Sequence, residues 1–184
     1  MLILASQSPR RKEILERAGF TFTIQIPDVD ESALPDEAPQ SYVRRIAARK
    51  ATAIKLPPGD CVLAADTTVV VDNEILGKPA DNADACRMLH LLQGRSHEVI
   101  TGICIRFKNQ IAVDAAVTQV HFDAMTDAEI AAYVATGEPM DKAGAYGIQG
   151  LASRYVTGIE GCYYNVMGLP VSLVVRHLRR LGAA

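Results

Sequence analysis

The segment that most constrains the fold is the run CVLAADTTVVV at positions 61–71. Apart from Asp66, its residues are apolar or threonine, and Val and Thr favour extended backbone. A nearly continuous run of this kind is typical of a strand in the interior of a sheet. The rest of the chain must therefore supply the elements that surround this strand.

Strand-like and helix-like patterns mix along the whole chain. Thr126 and Glu129 have the spacing of a capping box at a helix start, and Gly137 follows the predicted end of that helix. Strands are predicted over 1–5, 20–26, 61–71, 74–76, 97–107, 111–122 and 155–159, and helices over 9–18, 39–54, 84–92, 127–136 and from 170 onward. This mixture predicts an α/β fold with a mixed sheet.

The composition excludes several classes of protein. A chain of 184 residues with 49% apolar content can bury one sizeable core, so we expect a single domain over 1–184. The net charge of −2 gives no general attraction for nucleic acid or for an anionic membrane. The opening apolar run is too short for a signal peptide, and the cysteines form no Cys-x-x-Cys pair. We therefore expect a cytoplasmic protein with no nucleic-acid or membrane partner.

The first predicted helix carries positive charge where a helix disfavours it. Ser8 is placed as the N-cap and Pro9 as the first helical residue, and Arg10, Arg11 and Lys12 follow in the first turn. The unpaired amides and the macrodipole already give this end about half a positive charge. A nearby anion would remove the conflict.

A helical wheel separates these cations. The arc defined by Ile14 and Leu15 includes Arg11, has Arg10 on its flank and leaves Lys12 pointing away. Forked guanidinium groups beside free amides make a strong phosphate receptor. The alternative is that both arginines pair with carboxylates of the acidic stretch 27–37. We favour phosphate binding.

Two more charged residues interrupt apolar patterns. Lys50 lies in the middle of the apolar stripe of the second predicted helix, and Asp66 interrupts the central strand. A buried carboxylate needs a charged partner, a metal ion or a catalytic role. The simpler alternatives are that Lys50 extends to water and that Asp66 is satisfied by Thr67 or Thr68. A shared anionic ligand would explain Lys50 together with the inward arginines.

The acidic stretch offers oxygen ligands. Asp28, Asp30 and Glu31 lie close together in the sequence and can help to hold a hard divalent cation. Asp36 and Glu37 are expected to face solvent.

Lys78 adds another cation in the turn GKP at 77–79. Cations and carboxylates in this number are typical of chemistry on a metal-bound polyphosphate. The sequence has neither a Walker motif nor a G-x-G-x-x-G motif, and no His/Asp relay suggests a serine nucleophile.

A series of motifs along nearly the whole chain resembles the Maf-type nucleoside triphosphate pyrophosphatases. In order, they are ASQSPRR (5–11), DVDE (28–31), ARKA (48–51), AADTTVVVD (64–72), LGKP (76–79), SHEVITG (96–102), GEPMDKAGAYGIQG (137–150) and YNVMGLP (164–170). Each motif is weak alone, and their common order makes the resemblance specific.

The resemblance implies a fold, a reaction and an assembly. The fold would be an elongated mixed sheet flanked by helices, with two lobes and a central cleft, similar to inosine-triphosphate pyrophosphatases. The reaction would be hydrolysis of the α–β phosphoanhydride of a nucleoside triphosphate to the monophosphate and pyrophosphate, with a divalent cation (Mg, Mn or Co). The motif forms match the branch that prefers dTTP and UTP over 7-methyl-GTP. A homodimer and a house-cleaning role on normal or modified pyrimidine nucleotides are also implied.

Site residues carry over from the motifs. Asp66 matches the family's proton acceptor, and Arg10, Thr67 and Gln149 match its specificity positions. With the charge pattern, this predicts a metal held by Glu31 and Asp66. The predicted substrate-binding residues are Ser8, Arg10, Arg11, Lys50, Thr67, Lys78 and Gln149.

Two other functions stay open at this point. One is a nucleotide-binding regulator of septum formation and cell division that acts by binding rather than by turnover. The other is a general phosphatase, which would release phosphate instead of pyrophosphate. The charged residues around Asp66 favour turnover, because a sensor can dispense with that carboxylate.

Overall fold

Strands and helices alternate along residues 1–183, the part of the chain that the computed structural model describes. The strands are β1 (Leu2–Ala5), β2 (Phe22–Gln25), β3 (Cys61–Val71), β4 (Glu74–Leu76), β5 (Ser96–Phe107), β6 (Gln110–Phe122) and β7 (Val156–Glu160). The helices are α1 (Pro9–Arg17), α2 (Pro39–Ala53), α3 (Asn82–Leu92), α4 (Asp127–Ala135), α5 (Tyr163–Val166) and α6 (Val171–Leu181). Short 3-10 helices occupy Glu138–Asp141, Ala143–Ala145 and Leu151–Tyr155. None of these helices is long and apolar enough to span a lipid bilayer.

The strands form one seven-stranded sheet in the order β2-β1-β3-β5-β6-β7, with β4 paired to β3. β1 is parallel to β2 and to β3, whereas β3–β4 and β6–β7 are antiparallel. Every residue of β3 except Thr67 is buried, as its sequence predicts. The predicted α/β fold, a mixed sheet flanked by helices, is confirmed.

The chain divides into two compact units. The first comprises Met1–Thr67, Thr101–Ala116 and the chain from Gly168 onward, and the second comprises Thr68–Ile100 and Val117–Met167. In the first, Ala47 and Ala51 of α2 pack with strand residues such as Ile3, Val62 and Cys104. The core of the second brings Leu89 and Leu92 of α3 together with Phe122, Tyr133 and Tyr146.

Local sequence signals account for most element ends. Thr126 and Glu129 form the predicted capping box of α4. Helix α3 begins two residues before the predicted start, because Asp81 acts as its N-cap and accepts a hydrogen bond from the Asp84 N–H. Ser8 is the N-cap residue of α1, as predicted, although its side chain makes no capping hydrogen bond.

At Gly102, the strand β5 lies in close contact with the backbone of α2. A Cβ at residue 102 would lie 2.5 Å from the carbonyl carbon of Val43 and closer to its oxygen. Real side-chain carbons do not come this close to backbone, so any larger residue must push α2 away from the strand.

We expect Gly102→Ala to lower the free energy of unfolding by about 1–3 kcal/mol, because helix backbone cannot move aside as a side chain can. Urea denaturation at neutral pH measures the change. Gly158→Ala is the matched control, since Gly158 also lies in a strand and its Cβ would meet only an ordinary contact with His121 at 3.5 Å. The control should change stability by less than about 0.5 kcal/mol, and equal effects of the two variants would contradict the prediction.

Candidate active site

Lys50 is at the centre of a charged cluster in the first unit. It lies on α2, is buried, and its Nζ donates hydrogen bonds to Glu31 Oε2 and to Asp66 Oδ1, both at 2.7 Å. The alternative in which Lys50 extends to water is therefore wrong. The single ammonium group instead lies between two carboxylates and offsets the repulsion between them.

Asp66 is a carboxylate in the interior of β3, only 6% exposed. Burial raises its pKa above the ordinary value of 3.8, against the opposing effect of the Lys50 charge and hydrogen bond. The alternative in which Thr67 or Thr68 satisfies Asp66 is wrong, because both hydroxyls bond to other groups. Among residues 1–183, Asp66 Oδ1 has Lys50 as its partner, while Oδ2 accepts no hydrogen bond.

Arg11 lies inside the first unit, as the helical wheel predicts, and is 9% exposed. Its Nε donates to the Gly168 carbonyl oxygen at 2.8 Å, its Nη1 to Ser6 Oγ at 3.1 Å and its Nη2 to Thr67 Oγ1 at 3.0 Å. All three acceptors are neutral, so the predicted alternative of a carboxylate partner does not hold for Arg11 within residues 1–183. Burial lowers its pKa, and the charges of Asp66 and Glu31 oppose that shift. A guanidinium has five N–H donors, so one on each Nη remains for an anion.

Lys12 and Arg10 flank this buried guanidinium on α1. Lys12 is exposed and lies 3.7 Å from Glu16, as expected for an outward cation. Arg10 is half-exposed, and its charge contributes to lowering the pKa of Arg11. Ser8, also half-buried, donates its backbone N–H to Ser6 Oγ at 3.1 Å.

Thr67 follows Asp66 in β3 and belongs to the hydrogen-bond network of Arg11. Its hydroxyl lies 2.9 Å from the Thr101 hydroxyl and 3.4 Å from the Gly168 carbonyl oxygen, in addition to accepting from Arg11. Gly168 has φ +104°, which a residue with a side chain rarely adopts. This turn places its carbonyl oxygen against Arg11 and Thr67.

Side chains of α2 hold the loop that carries Glu31. The Tyr42 hydroxyl donates to the Glu31 carbonyl oxygen at 2.9 Å, and Arg49 Nη1 donates to the Asp30 carbonyl oxygen at 3.0 Å. Arg45 Nη2 donates to the Ser32 carbonyl oxygen at 2.9 Å. The position of Glu31 therefore depends on four α2 side chains, counting Lys50.

Glu37 lies at the end of the same loop, just before α2. The prediction that Glu37 faces solvent is wrong. Its side chain is 9% exposed, and its two carboxylate oxygens accept from Nε and Nη2 of Arg45, each at 2.6 Å. The Arg45 hydrogen bonds hold the pKa of Glu37 below its ordinary value. A two-point contact of this kind fixes a loop end more firmly than a single ion pair.

The donors near Lys50 fit a divalent cation held jointly with a substrate. Glu31 and Asp66 contact the same ammonium, so both carboxylates can reach one small cation, and Mg²⁺ commonly uses one or two carboxylates plus phosphate and water oxygens. The Asp30 carboxylate accepts from the N–H and hydroxyl of Ser32 instead of contacting Lys50. Residues 1–183 contain no group of three or more His, Cys, Asp or Glu side chains placed to hold a metal ion.

Lys78 and Gln149 belong to the second unit, and both are exposed. The Gly77 carbonyl oxygen accepts from the Gly144 N–H at 3.0 Å, so the turn with Lys78 is tied to the segment that precedes Gln149.

Sequence reasoning missed the residues that support this cluster. Ser6 differs from Ser8 only in position, and no pattern indicates that Ser6, not Ser8, contacts Arg11. Gly168 lies 157 residues from Arg11, so no local signal can reveal their hydrogen bond. Tyr42 and Arg45 lie on the outer side of α2, where their spacing alone is typical of ordinary surface residues.

Comparisons with known proteins find relatives along nearly the whole chain. Residues 1–181 match the family described as Maf-like protein. A protein of Koribacter versatilis named dTTP/UTP pyrophosphatase is 51% identical over 182 residues, covering 98% of this chain and 94% of that protein. A protein of Geobacter metallireducens with the same name is 51% identical over 185 residues, covering 99% and 96%. Among solved structures, a nucleoside-triphosphatase / dITP/XTP pyrophosphatase from Mycobacterium abscessus has a TM-score of 0.44 and 13% identity, covering 99% of this chain and 96% of that one.

We expect Lys50→Met to lower the free energy of unfolding by about 3 kcal/mol at pH 7, because it leaves Asp66 buried without its cation. The loss should shrink as the pH falls, since a protonated Asp66 no longer needs a cation. Urea denaturation at several pH values measures both effects. Lys12→Met removes an exposed lysine and should change stability by less than about 0.5 kcal/mol. A loss in Lys50→Met no larger than in this control would show that the buried pair is not a structural requirement.

Proposed function

The chain belongs to the Maf-like protein family, and we propose that it hydrolyses dTTP and UTP, and modified pyrimidine nucleoside triphosphates, to the monophosphate and pyrophosphate. The observation that carries the proposal is the buried contact of Lys50 with Glu31 and Asp66, next to the network of Arg11. The names of the relatives with about half of their residues identical support the choice of substrate.

In the proposed reaction, Asp66 is the proton acceptor. Water attacks a phosphorus atom of the α–β anhydride, the bridging P–O bond breaks, and the bridging oxygen leaves with one of the two phosphate products. The proton of the attacking water passes to Asp66, for which Oδ2 is the available atom because Oδ1 already accepts from Lys50. Burial raises the pKa of this carboxylate, which makes it a stronger base once it is ionised, and the Lys50 charge opposes that rise and favours the ionised form.

Arg11 and Lys50 are proposed to stabilise the phosphate charge, together with Arg10, Lys78 and the Ser8 position at the start of α1. Arg11 supports this role because its partners are neutral and two of its N–H donors remain. Fixed cations in a buried site need little reorganisation as negative charge develops on the leaving group.

A divalent cation (Mg, Mn or Co) is proposed to bind at Glu31 and Asp66. When bound, such an ion neutralises phosphate charge and polarises the phosphoryl oxygens. Tyr42 and Arg45 would not contact this cation but would position Glu31, because they bond the backbone of the loop from which Glu31 extends.

Gln149, Thr67 and Arg10 are proposed to select the base. An exposed glutamine amide offers a paired donor and acceptor, which suits the edge of a uracil or thymine ring. Thr67 is held by Arg11 in the first unit, and it is the one residue of β3 that is half-buried rather than buried.

The proposal includes a homodimer and a cytoplasmic location. Ile111 and Val113 are exposed apolar side chains on one face of β6, which supports burial against another copy. All four cysteines are free, which supports a reducing compartment.

The first test identifies the products. We expect the purified chain with Mg²⁺ or Mn²⁺ to release pyrophosphate, and no inorganic phosphate, from dTTP and UTP, as resolved by anion-exchange chromatography. A screen that includes 7-methyl-GTP and CTP measures the preference by kcat/KM. Inorganic phosphate as the product, or faster turnover of 7-methyl-GTP, would contradict the proposal.

A second test separates turnover from binding. We expect Asp66→Asn to lose at least about a hundredfold in kcat, because amide nitrogen and oxygen cannot accept the proton of the attacking water. Equilibrium binding of UTP should remain. Wild-type kcat in this variant would remove Asp66 from the role of base, and binding without turnover in the wild type would favour the regulator.

The fall of kcat/KM at acid pH should follow the protonation of Asp66. Activity needs the ionised carboxylate, so kcat/KM is full above the pKa of Asp66 and falls about tenfold per pH unit below it. Burial raises this pKa above 3.8 in the metal-free protein, and a divalent cation bound at Asp66 would oppose that rise. The effect on stability has the opposite sign, since the folded state binds this proton more tightly and its contribution to stability grows as pH falls. An acid limb that coincides with loss of circular dichroism would be unfolding rather than titration of Asp66.

A further inference from the structure

Gln149 lies in a tight turn of the second unit. The Gly150 N–H donates to the Gly147 carbonyl oxygen at 3.0 Å, so residues 147–150 form one turn with Gln149 at its third position. The Gln149 side chain is exposed. Its direction therefore depends on how firmly the backbone of the turn is held.

Glu138 binds the backbone directly after this turn. Its carboxylate oxygens accept the Leu151 N–H at 3.0 and 3.1 Å, and Oε1 also accepts the Tyr133 hydroxyl at 3.0 Å. Tyr133 is buried in α4, and burial together with the Glu138 carboxylate raises its pKa, so it stays protonated as a donor. The Glu138 carboxylate thus joins the end of the turn to the core of the second unit.

Gly150 is required by this contact. A Cβ at residue 150 would lie 2.5 Å from Glu138 Cδ and closer still to Oε1. A free carboxylate could swing aside, but this one would have to give up its bonds to Leu151 and Tyr133.

Lys142 packs against the other end of the turn. Its Nζ donates to the Glu138 carbonyl oxygen and to Asp141 Oδ1, both at 2.6 Å. Its alkyl chain lies against Gly147, where a Cβ would be 2.7 Å from Lys142 Cε. Both glycines of the turn therefore pack against side chains that are themselves bonded.

We propose that Glu138 is a positioning residue for base selection, which holds the turn 147–150 so that Gln149 presents its amide to the pyrimidine in one place. This inference rests on the proposed function, in which Gln149 reads the base. Uracil and thymine present a carbonyl acceptor at position 4, where cytosine presents an amino donor. Discrimination by one amide needs a fixed position, because a displacement of about 1 Å can cost a hundredfold.

The experiment is a double-mutant cycle on the full chain, with kcat/KM for UTP and for CTP as the readout. Gln149→Ala should lower the UTP:CTP ratio by about tenfold or more, since the wrong base no longer leaves a polar group unpaired. Glu138→Ala should lower the ratio to a similar value, mainly through KM for UTP. The double variant should lie within about twofold of Gln149→Ala alone, because both changes remove the same interaction. A merely structural role for Glu138 would give effects that multiply.

Matched variants test the contact between the Glu138 carboxylate and the Leu151 N–H. Glu138→Gln keeps an acceptor for the Leu151 N–H and should restore the UTP:CTP ratio to within about threefold of the wild type. Gly150→Ala should lower the ratio in the wild type but not further in Glu138→Ala, where the opposing carboxylate is gone. Asp127→Ala removes a fully exposed carboxylate from α4 and should leave the ratio unchanged.

Hydrogen exchange of the Leu151 amide, measured without nucleotide, tests the positioning independently of activity. We expect faster exchange in Glu138→Ala than in the wild type, and near wild-type exchange in Glu138→Gln. If Glu138→Ala does not fold, Gly150→Ala and Tyr133→Phe, which disturb the same carboxylate, take its place.

The outcomes distinguish a failure of the role of Glu138 from a failure of the proposed function. A wild-type UTP:CTP ratio in folded Glu138→Ala, multiplying effects in the cycle, or unchanged exchange at Leu151 overturns the role of Glu138 and leaves the proposed function standing. A wild-type chain that releases no pyrophosphate from UTP or dTTP overturns the proposed function, and base selection by Glu138 with it.

Discussion

The side chain of Lys50 crosses the apolar face of α2 before its ammonium reaches Glu31 and Asp66. Without that cation, a carboxylate inside β3 would cost several kcal/mol. The Lys50 ammonium therefore contacts both the strand, through Asp66, and the acidic loop, through Glu31, from its place on the helix. Tyr42 and Arg45 add to these contacts, because they fix the loop to the helix that carries Lys50.

The two units use different kinds of polar network. The first relies on full charges with little exposure, whose pKa values are shifted by burial and by each other. Besides charged contacts such as that of Lys142 with Asp141, the second contains a neutral pair: the buried His97 ring lies 2.7 Å from the Tyr146 hydroxyl, and burial lowers the pKa of His97 to about 4. A neutral network keeps its hydrogen bonds across the physiological pH range, whereas the charge of the cluster around Lys50 changes when its carboxylates take up protons.

How far the sequence predicts this structure depends on the distance over which each feature is determined. The α/β class, the central strand and the inward direction of Arg11 and Lys50 follow from periodicity, which is a local property. The prediction that Glu37 faces solvent is wrong because Arg45, eight residues further along on α2, binds both oxygens of its carboxylate. The pairing of Arg11 with the Gly168 carbonyl joins the two ends of the chain, and no window of sequence contains both.

Asp66 and Thr67 are neighbours in β3, and successive side chains of a strand point to opposite faces of its sheet. Asp66 contacts Lys50 of α2, while Thr67 contacts Arg11 of α1, so two helices receive different functional groups from adjacent positions of one strand. The parallel register of β3 on β1, Ala64 opposite Ala5, decides which helix receives which group. A slip of one residue in one direction would bring Asp66 to Arg11 and leave Ala65 at Lys50, and a slip in the other direction would bring Thr67 to Lys50. Only the native register places the carboxylate against the ammonium of Lys50, and the buried residues on either side of Asp66 and Thr67 favour that register.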